Sequence, residues 1–267
     1  MRAAAVFFVS LALSAQDSSK GVNFYSLEKE RALGQQISQE YRAQATLLQS
    51  PELRSRLDPI VRSLIPPDSK LTYTWELTAS DDMVLQEPAA FPGGFLFIPS
   101  GLILAAQNID ELAGMIAHSI AHIEARHGTR LATKAQIIDQ ATVPLIYMGG
   151  WTGYAIRQNV ALSIPLGMLK SVRVQELQAD LLAARMMSSA GFQPGRLADF
   201  IERVQSAASD PPDARAPLPP RAERVAALRA VTVSVTPRTG SEDFTELQNL
   251  VRRALPANAK TPPRLGR

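Results

Sequence analysis

The sequence predicts an α+β fold that is mainly helical and carries a small sheet. Segments with helical spacing of apolar residues occupy much of the chain, and two short segments have the pattern of strands. The chain has 267 residues, of which 46% are hydrophobic. About 250 residues remain after an apolar leader, which is enough for one large domain with a sizeable core.

Helix-start and helix-stop residues define several predicted helices. An amphipathic pattern covers residues 27–48. Ser50 precedes a second helix that has Pro51 in its first turn, where proline is tolerated. A later helix is predicted over residues 172–190, because Gly191 follows it as a typical stop.

Two segments predict the strands of the sheet. Residues 71–78 alternate between polar and apolar side chains, as expected for a half-buried strand. Residues 95–99 follow a Pro-Gly-Gly turn at 92–94 and have the composition of another strand. We expect these strands to form the small sheet.

The most informative segment predicts a helix that carries two histidines. Asn108 suits the N-cap and Glu111 lies three residues later, as in a capping box, while Gly128 follows the last turn as a stop. His118 and His122 are four residues apart and therefore share one face of this helix. The pair alone is more typical of two polar residues on a partly buried helix, so a metal site needs a further ligand.

The chemistry of this spacing is that of the H-E-x-x-H pattern. In that pattern the histidines hold a zinc ion, and the glutamate after the first histidine activates the attacking water. Ser119 occupies the glutamate position in this chain. The metal-binding half of the pattern is present and the water-activating half is missing.

A third metal ligand is available on the later helix. A catalytic zinc site takes three protein ligands, and Glu176 supplies a carboxylate at the start of the predicted helix. Asp180 lies four residues on, so one carboxylate can bind the metal while the other fixes the ring of a liganding histidine. A solvated acidic face with Arg173 as partner is the alternative interpretation.

Taken together, these segments resemble the zinc metallopeptidases of family M48, which include HtpX, BepA, Oma and the CaaX prenyl endopeptidases. The similarity runs from about residue 26 to about residue 229, and the soluble exported BepA-like members look most similar. The matching segments are residues 26–34, residues 91–102, the His118 helix, and the helix with Glu176 and Asp180.

The resemblance implies a zincin-like metallopeptidase domain with its sheet beside the active-site helix. It also implies one zinc ion per chain, with His118, His122 and Glu176 as ligands and Asp180 as a supporting carboxylate. In the family, a strand like residues 95–99 borders the cleft and pairs with extended substrate.

Three departures from the family pattern bear on catalysis. Ser119 stands where the family has its catalytic glutamate. The family usually has a histidine six residues before an arginine, which is thought to stabilise the oxyanion or gate the zinc, and counting back from Arg224 places Leu218 there. The family's asparagine before its Pro-Gly-Gly turn corresponds to Glu87.

These departures predict impaired catalysis. A serine hydroxyl is too weak a base to take a proton from water, and general acid–base catalysis is typically worth roughly 10²–10⁴-fold. Glu111 lies two turns before His118, and Glu124 faces another side of the helix, so neither replaces the missing base. The sequence favours a zinc-binding pseudopeptidase that binds extended or misfolded polypeptide.

Two other functions stay open. The chain is an active zinc metalloendopeptidase of envelope protein quality control if a carboxylate from elsewhere serves as base. It is a structural domain if the metal has been lost as well. The expected partners are extended or unfolded polypeptide and an envelope assembly partner.

The ends of the chain indicate export. Residues 1–15 combine Arg2, an apolar run and small residues before Gln16, as in a secretory signal peptide that is too short to span a membrane. Residues 16–255 are then the peptidase-like domain, and residues 256–267 a flexible basic tail. The chain has no cysteine, which excludes a disulfide or lipid anchor on cysteine. We expect a periplasmic or secreted protein.

Charge and hydrophobicity limit the remaining partners. The formal net charge of +3 is too mild to indicate nucleic-acid binding. The apolar runs within residues 143–169 are each shorter than a membrane span, so the mature chain is expected to have none. These runs fit either a buried helical hairpin over the site or a surface that contacts a membrane or partner.

Overall fold

The computed structural model describes residues 22–79, 87–137, 166–205, 218–231, 235 and 244–256. These residues form helices and three strands in an α+β arrangement, which confirms the predicted fold class. The helices are α1 (Leu27–Gln44), α2 (Pro51–Leu64), α3 (Ser100–Ala105), α4 (Ile109–Glu124), α5 (His127–Ile137), α6 (Leu166–Ser189), α7 (Gly195–Val204), α8 (Arg221–Arg229) and α9 (Phe244–Ala254). The strands are β1 (Thr74–Thr78), β2 (Ala89–Phe91) and β3 (Phe95–Pro99).

The first two helices start where their capping residues predict. Ser26 caps α1 by accepting a hydrogen bond from the Lys29 amide at 3.3 Å. Ser50 caps α2 in the same way, and Pro51 occupies the first turn. Helix α1 ends before residue 48, where the prediction placed its end, because the chain becomes extended and Leu47 bridges to β1.

The small sheet is mixed and has the order β1-β3-β2. Strand β1 runs parallel to β3, and β2 runs antiparallel to β3. The turn between β2 and β3 contains Gly93 and Gly94, whose φ angles are 78° and 99°. Strand β3 matches the predicted residues, whereas the predicted strand 71–78 is shortened to β1. Because β3 is paired on both sides, it is the centre of the sheet and not a free edge for substrate; β2 is the edge strand nearer to α4.

Helix α4 is the centre of the domain. It packs against β2 on one side and against α6 and α7 on the others, and nearly all its residues are buried. Gly114 permits the approach of α7, because a Cβ at this position would lie 3.0 Å from the Leu197 Cβ. The histidine-bearing helix is therefore held rigidly between the sheet and two helices.

The C-terminus of α4 differs from the prediction. The helix ends at Glu124, and α5 starts at His127, so Gly128 lies in the first turn of α5 rather than acting as a stop. Arg126 takes the left-handed conformation instead, with φ 57°. Its guanidinium bonds to Glu30 at 2.9 Å and to the Tyr25 carbonyl, which offsets the strain of that conformation.

Several predictions fall wholly or partly outside the described residues. The leader 1–15 does, and so does the tail after residue 256. Of the apolar segment 143–169, only the start of α6 is described. Helix α6 ends near Gly191 as predicted, where φ is 82°, but it is longer than the predicted 172–190 at its start. No helix in the described part of the chain is both long and apolar enough to cross a membrane.

Candidate metal centre

His118 and His122 project from one face of α4 toward α6. The Nε2 atoms of their rings are 3.1 Å apart, which is the result of the four-residue spacing on a regular helix. His118 is fully buried, whereas the His122 side chain is 12% exposed. Among the described residues, His122 is therefore the more exposed side of the pair.

Helix α6 brings the third predicted ligand to this pair. Glu176 Oε2 lies 3.5 Å from His118 Nε2 and 3.9 Å from His122 Nε2. One donor atom from each residue falls within 4.8 Å of the others. A tetrahedral ion with bonds of about 2.0–2.1 Å separates its ligand atoms by roughly 3.3 Å, so the three donors fit a zinc ion.

A buried carboxylate sets the orientation of the His118 ring. Asp180 Oδ1 lies 2.9 Å from His118 Nδ1, one turn of α6 beyond Glu176. With a metal ion bound, this contact would place the ring proton on Nδ1 and leave the Nε2 lone pair toward the other donors. Asp180 is fully buried, which excludes the alternative of a solvated acidic face.

Asp180 is in turn held by Arg224 from α8. The guanidinium donates from Nε and Nη2 to the two carboxylate oxygens, both at 2.7 Å, and both side chains are fully buried. Burial alone would raise the pKa of Asp180, but the charge and hydrogen bonds of Arg224 lower it below its usual range. In the sequence, Arg224 served only as the reference point for locating Leu218. No local pattern indicates that Arg224 pairs with Asp180, which lies 44 residues earlier in the chain.

His127, whose role the sequence did not indicate, orients the second ligand. Its Nε2 lies 3.1 Å from Gln178 Oε1, and its Nδ1 lies 3.1 Å from His122 Nδ1. Burial lowers the pKa of His127 to about 4, so the ring is neutral and its Nδ1 accepts from His122 Nδ1–H. His122 then also presents its Nε2 lone pair. The available signal was that all three histidines of the chain lie within residues 118–127.

Glu87 is a further carboxylate at the site. It lies just before β2, is 2% exposed, and places Oε1 3.9 Å from His118 Nε2. Burial by itself lowers the pKa of His118, but Asp180, Glu176 and Glu87 together raise it to about 10. The site therefore favours a positive charge at the imidazole edge, where a metal ion would lie. Glu87 is the only charged residue between Asp82 and Asp110, a signal that sequence reasoning overlooked.

The other residues considered for catalysis make their described contacts with residues outside the donor set. Ser119 is buried, and its Oγ donates to the Pro88 carbonyl at 3.2 Å. Leu218 is buried in the main apolar core. Glu124 accepts hydrogen bonds from Ser69 and Tyr73, and Glu111 pairs with Arg203, so both carboxylates are engaged outside the donor set.

Comparisons with known proteins identify the family of the chain. Residues 47–232 match Peptidase family M48. The beta-barrel assembly-enhancing protease of Yersinia pestis is 23% identical over 89% of this chain and 51% of its own length. The Escherichia coli K12 protein of the same name is 24% identical over 82% of this chain and 47% of its own length. The mitochondrial metalloendopeptidase OMA1 of Saccharomyces cerevisiae is 35% identical over 49% of this chain and 37% of its own length.

The chain thus spans about half the length of the beta-barrel assembly-enhancing proteases that it matches. The family match covers α2 to α8, including β2 and both helices that carry the donors. On this match, the chain belongs to peptidase family M48.

Proposed function

We propose that the protein binds one zinc ion per chain, binds extended or misfolded polypeptide in the cell envelope, and hydrolyses it poorly. The observation that carries the proposal is the donor set of His118, His122 and Glu176, whose atoms are 3.1–3.9 Å apart. A zinc ion held there would polarise the carbonyl of a bound peptide. Asp180 and His127 support the proposal, because they orient both imidazoles for a metal.

The weak hydrolysis follows from the residue beside the first ligand. The Ser119 hydroxyl is engaged with the Pro88 carbonyl and has no basicity with which to take a proton from water. Loss of general acid–base catalysis typically costs roughly 10²–10⁴-fold in rate, which is about 3–5 kcal/mol of transition-state stabilisation. Leu218 at the position of the family's histidine adds a second loss, because an apolar side chain donates no hydrogen bond to an oxyanion.

Polypeptide is the proposed ligand because the relatives are named proteases. Extended peptides commonly add to the edge of a sheet, and among the described residues β2 pairs only with β3. All three residues of β2 are buried, so a peptide that pairs there must displace whatever covers the strand. The name of the beta-barrel assembly-enhancing proteases supports an assembly partner in the envelope.

Export by residues 1–15 is part of the same proposal. Protein recovered from the envelope of the native host should begin near Gln16, because small residues precede that position. An intact Met1 on the recovered protein would contradict export by cleavage of a signal peptide.

Metal analysis tests the central claim. Protein purified without chelator should contain about one zinc per chain. His122→Ala and Glu176→Ala should lose most of it, whereas Glu223→Ala, which removes an exposed carboxylate of α8, should retain it. No metal in the wild type, or full occupancy in both ligand variants, would refute the proposal in favour of a structural domain without metal.

A normally active zinc metalloendopeptidase is the second candidate. Glu87 favours it, because this carboxylate lies at the donor set although the motif lacks its glutamate. Cleavage of casein by the wild type, compared with a chelated sample, distinguishes the two functions. Rates far above the chelated control support the active peptidase, and rates barely above it support the impaired one.

A further inference from the structure

We propose that Glu87 supplies the catalytic carboxylate that position 119 lacks, and that any hydrolysis by this protein uses it as the base. The inference rests on the proposed function, since it requires the zinc-binding donor set. It concerns a residue outside the helix motif, and it gives the site a carboxylate base despite Ser119, while Leu218 still leaves the oxyanion without its histidine donor.

The first argument is where Glu87 lies. Its Oε1 is 3.9 Å from His118 Nε2, and the residue is almost completely buried. In the described residues, His118, His122 and Glu176 are the three donors that lie within 4.8 Å of one another. We assign Glu87, which lies beside this group, as a general base within reach of a reacting water rather than as a fourth ligand, and the cobalt spectrum of Glu87→Gln tests that assignment.

The second argument is that residues 87 and 119 approach the same space. Ser119 Oγ donates to the carbonyl of Pro88, so the chain entering β2 lies directly against this turn of α4. The carboxylate beside His118 therefore comes from the segment before β2, while residue 119 of the facing helix is neutral.

The third argument is charge balance. Glu87, Glu176 and Asp180 bring three carboxylates into a buried site that contains the Arg224 guanidinium. A divalent metal ion together with Arg224 balances these three charges, with the imidazoles neutral. A glutamate at 119 in place of Glu87 would give the same balance. A glutamate at both positions would leave one negative charge without compensation.

The proposed step is balanced as follows. The oxygen of a water forms a bond to the carbonyl carbon of the peptide, and one proton of that water passes to the Glu87 carboxylate. Glu87 then gives this proton to the amide nitrogen as the C–N bond breaks, and returns to its ionised form. The second water proton passes from the new carboxyl group to the amine, so the products are a carboxylate and an ammonium group.

The experiment compares four zinc-loaded proteins at matched metal content. Glu87→Gln keeps the shape and removes the base, and Glu87→Asp keeps the charge but shortens its reach. Glu124→Gln is the matched control, because it removes a carboxylate of α4 that bonds to Ser69 and Tyr73 instead. Circular dichroism checks that each variant is folded.

Two readouts are expected to separate Glu87 from the control. Chelator-sensitive cleavage of an extended peptide, followed over long incubations, should fall to the chelated background in both Glu87 variants and stay within about threefold of the wild type in Glu124→Gln. Affinity for a peptide hydroxamate, whose acidic proton needs a neighbouring acceptor, should fall at least about tenfold in Glu87→Gln. The visible spectrum of the cobalt-substituted protein should not change in that variant, because Glu87 is not a ligand.

Each contrary result has its own meaning. If Glu87→Gln cleaves the peptide and binds the hydroxamate as well as the wild type does, the proposal is wrong. A changed cobalt spectrum in Glu87→Gln would also overturn it, because it would show that Glu87 is a metal ligand. A fifth protein, Glu87→Asn/Ser119→Glu, moves the carboxylate to the helix motif, and cleavage by it but not by the wild type would show that Glu87 is not a competent base. Absence of zinc from the wild type would refute the proposed function itself, which metal analysis detects before any assay.

Discussion

Replacement of Arg224 by methionine should be one of the most destabilising single changes in this protein. Its side chain is fully buried and donates hydrogen bonds to both Asp180 oxygens at 2.7 Å and to Gln205 Oε1 at 3.1 Å. Methionine fills much of the same volume, so the main consequence is a buried Asp180 carboxylate without its cation. Breaking a buried ion pair from one side typically costs about 3–5 kcal/mol.

The assay is thermal and urea unfolding in the presence of a chelator, so that metal binding does not contribute. For a domain of this size, about 3–5 kcal/mol corresponds to a fall in Tm of roughly 6–20 °C. Arg229→Met is the matched control on the same helix, because its side chain is 54% exposed and it pairs with Glu202 at the surface. That variant should change stability by no more than about 0.5 kcal/mol.

A double variant tests whether the pair itself is responsible. Asp180→Asn removes the other charge. The loss in the free energy of unfolding of Asp180→Asn/Arg224→Met should therefore be smaller than the sum of the two single-variant losses, by at least about 1 kcal/mol. Equal losses for Arg224→Met and Arg229→Met, or strict additivity in the double variant, would refute the claim that this buried pair supports the site.

Two further predictions concern the ligand support and the packing of the sheet. His127→Phe should weaken zinc binding about 10–100-fold, as measured by competition with a chromophoric chelator, because His122 loses the acceptor that fixes its ring; unchanged affinity would contradict this role. Gly34→Ala should destabilise the fold by about 3 kcal/mol in urea unfolding, because the added Cβ would lie 1.8 Å from the Pro92 carbonyl oxygen. Gly195→Ala is the control and should be nearly neutral, because its added Cβ would meet no atom within 4 Å. Equal stability of the two alanine variants would show that α1 can move away from the turn at no cost.

Local signals predicted the parts of the site that belong to single helices. The caps Ser50 and Asn108 depend on a side chain and an amide three residues apart, so the sequence alone reveals them. The same holds for the shared face of His118 and His122, since a four-residue spacing on a helix fixes their distance.

Features that depend on tertiary contacts were missed. Strand β2 has three buried residues without alternation, so its pairing with β3 has no periodic signal. The end of α4 was misplaced at Gly128, because tertiary bonds to Glu30 and Tyr25 allow Arg126 to take a conformation that local preference assigns to glycine. The buried partner of Asp180 was missed for the same reason.

The chemistry of the site shows why the helix motif alone is an incomplete guide to activity. A carboxylate that lies within hydrogen-bond reach of a reacting water can take its proton, whichever segment of the chain supplies that carboxylate. Here β2 packs on α4, and the contact between Ser119 and Pro88 holds Glu87 beside His118. The buried charge of Arg224 and a divalent ion can balance one such carboxylate beyond Glu176 and Asp180, but not two. On the proposal that Glu87 is the base, a neutral residue at position 119 avoids a further uncompensated carboxylate, so Ser119 would be a consequence of where the carboxylate lies.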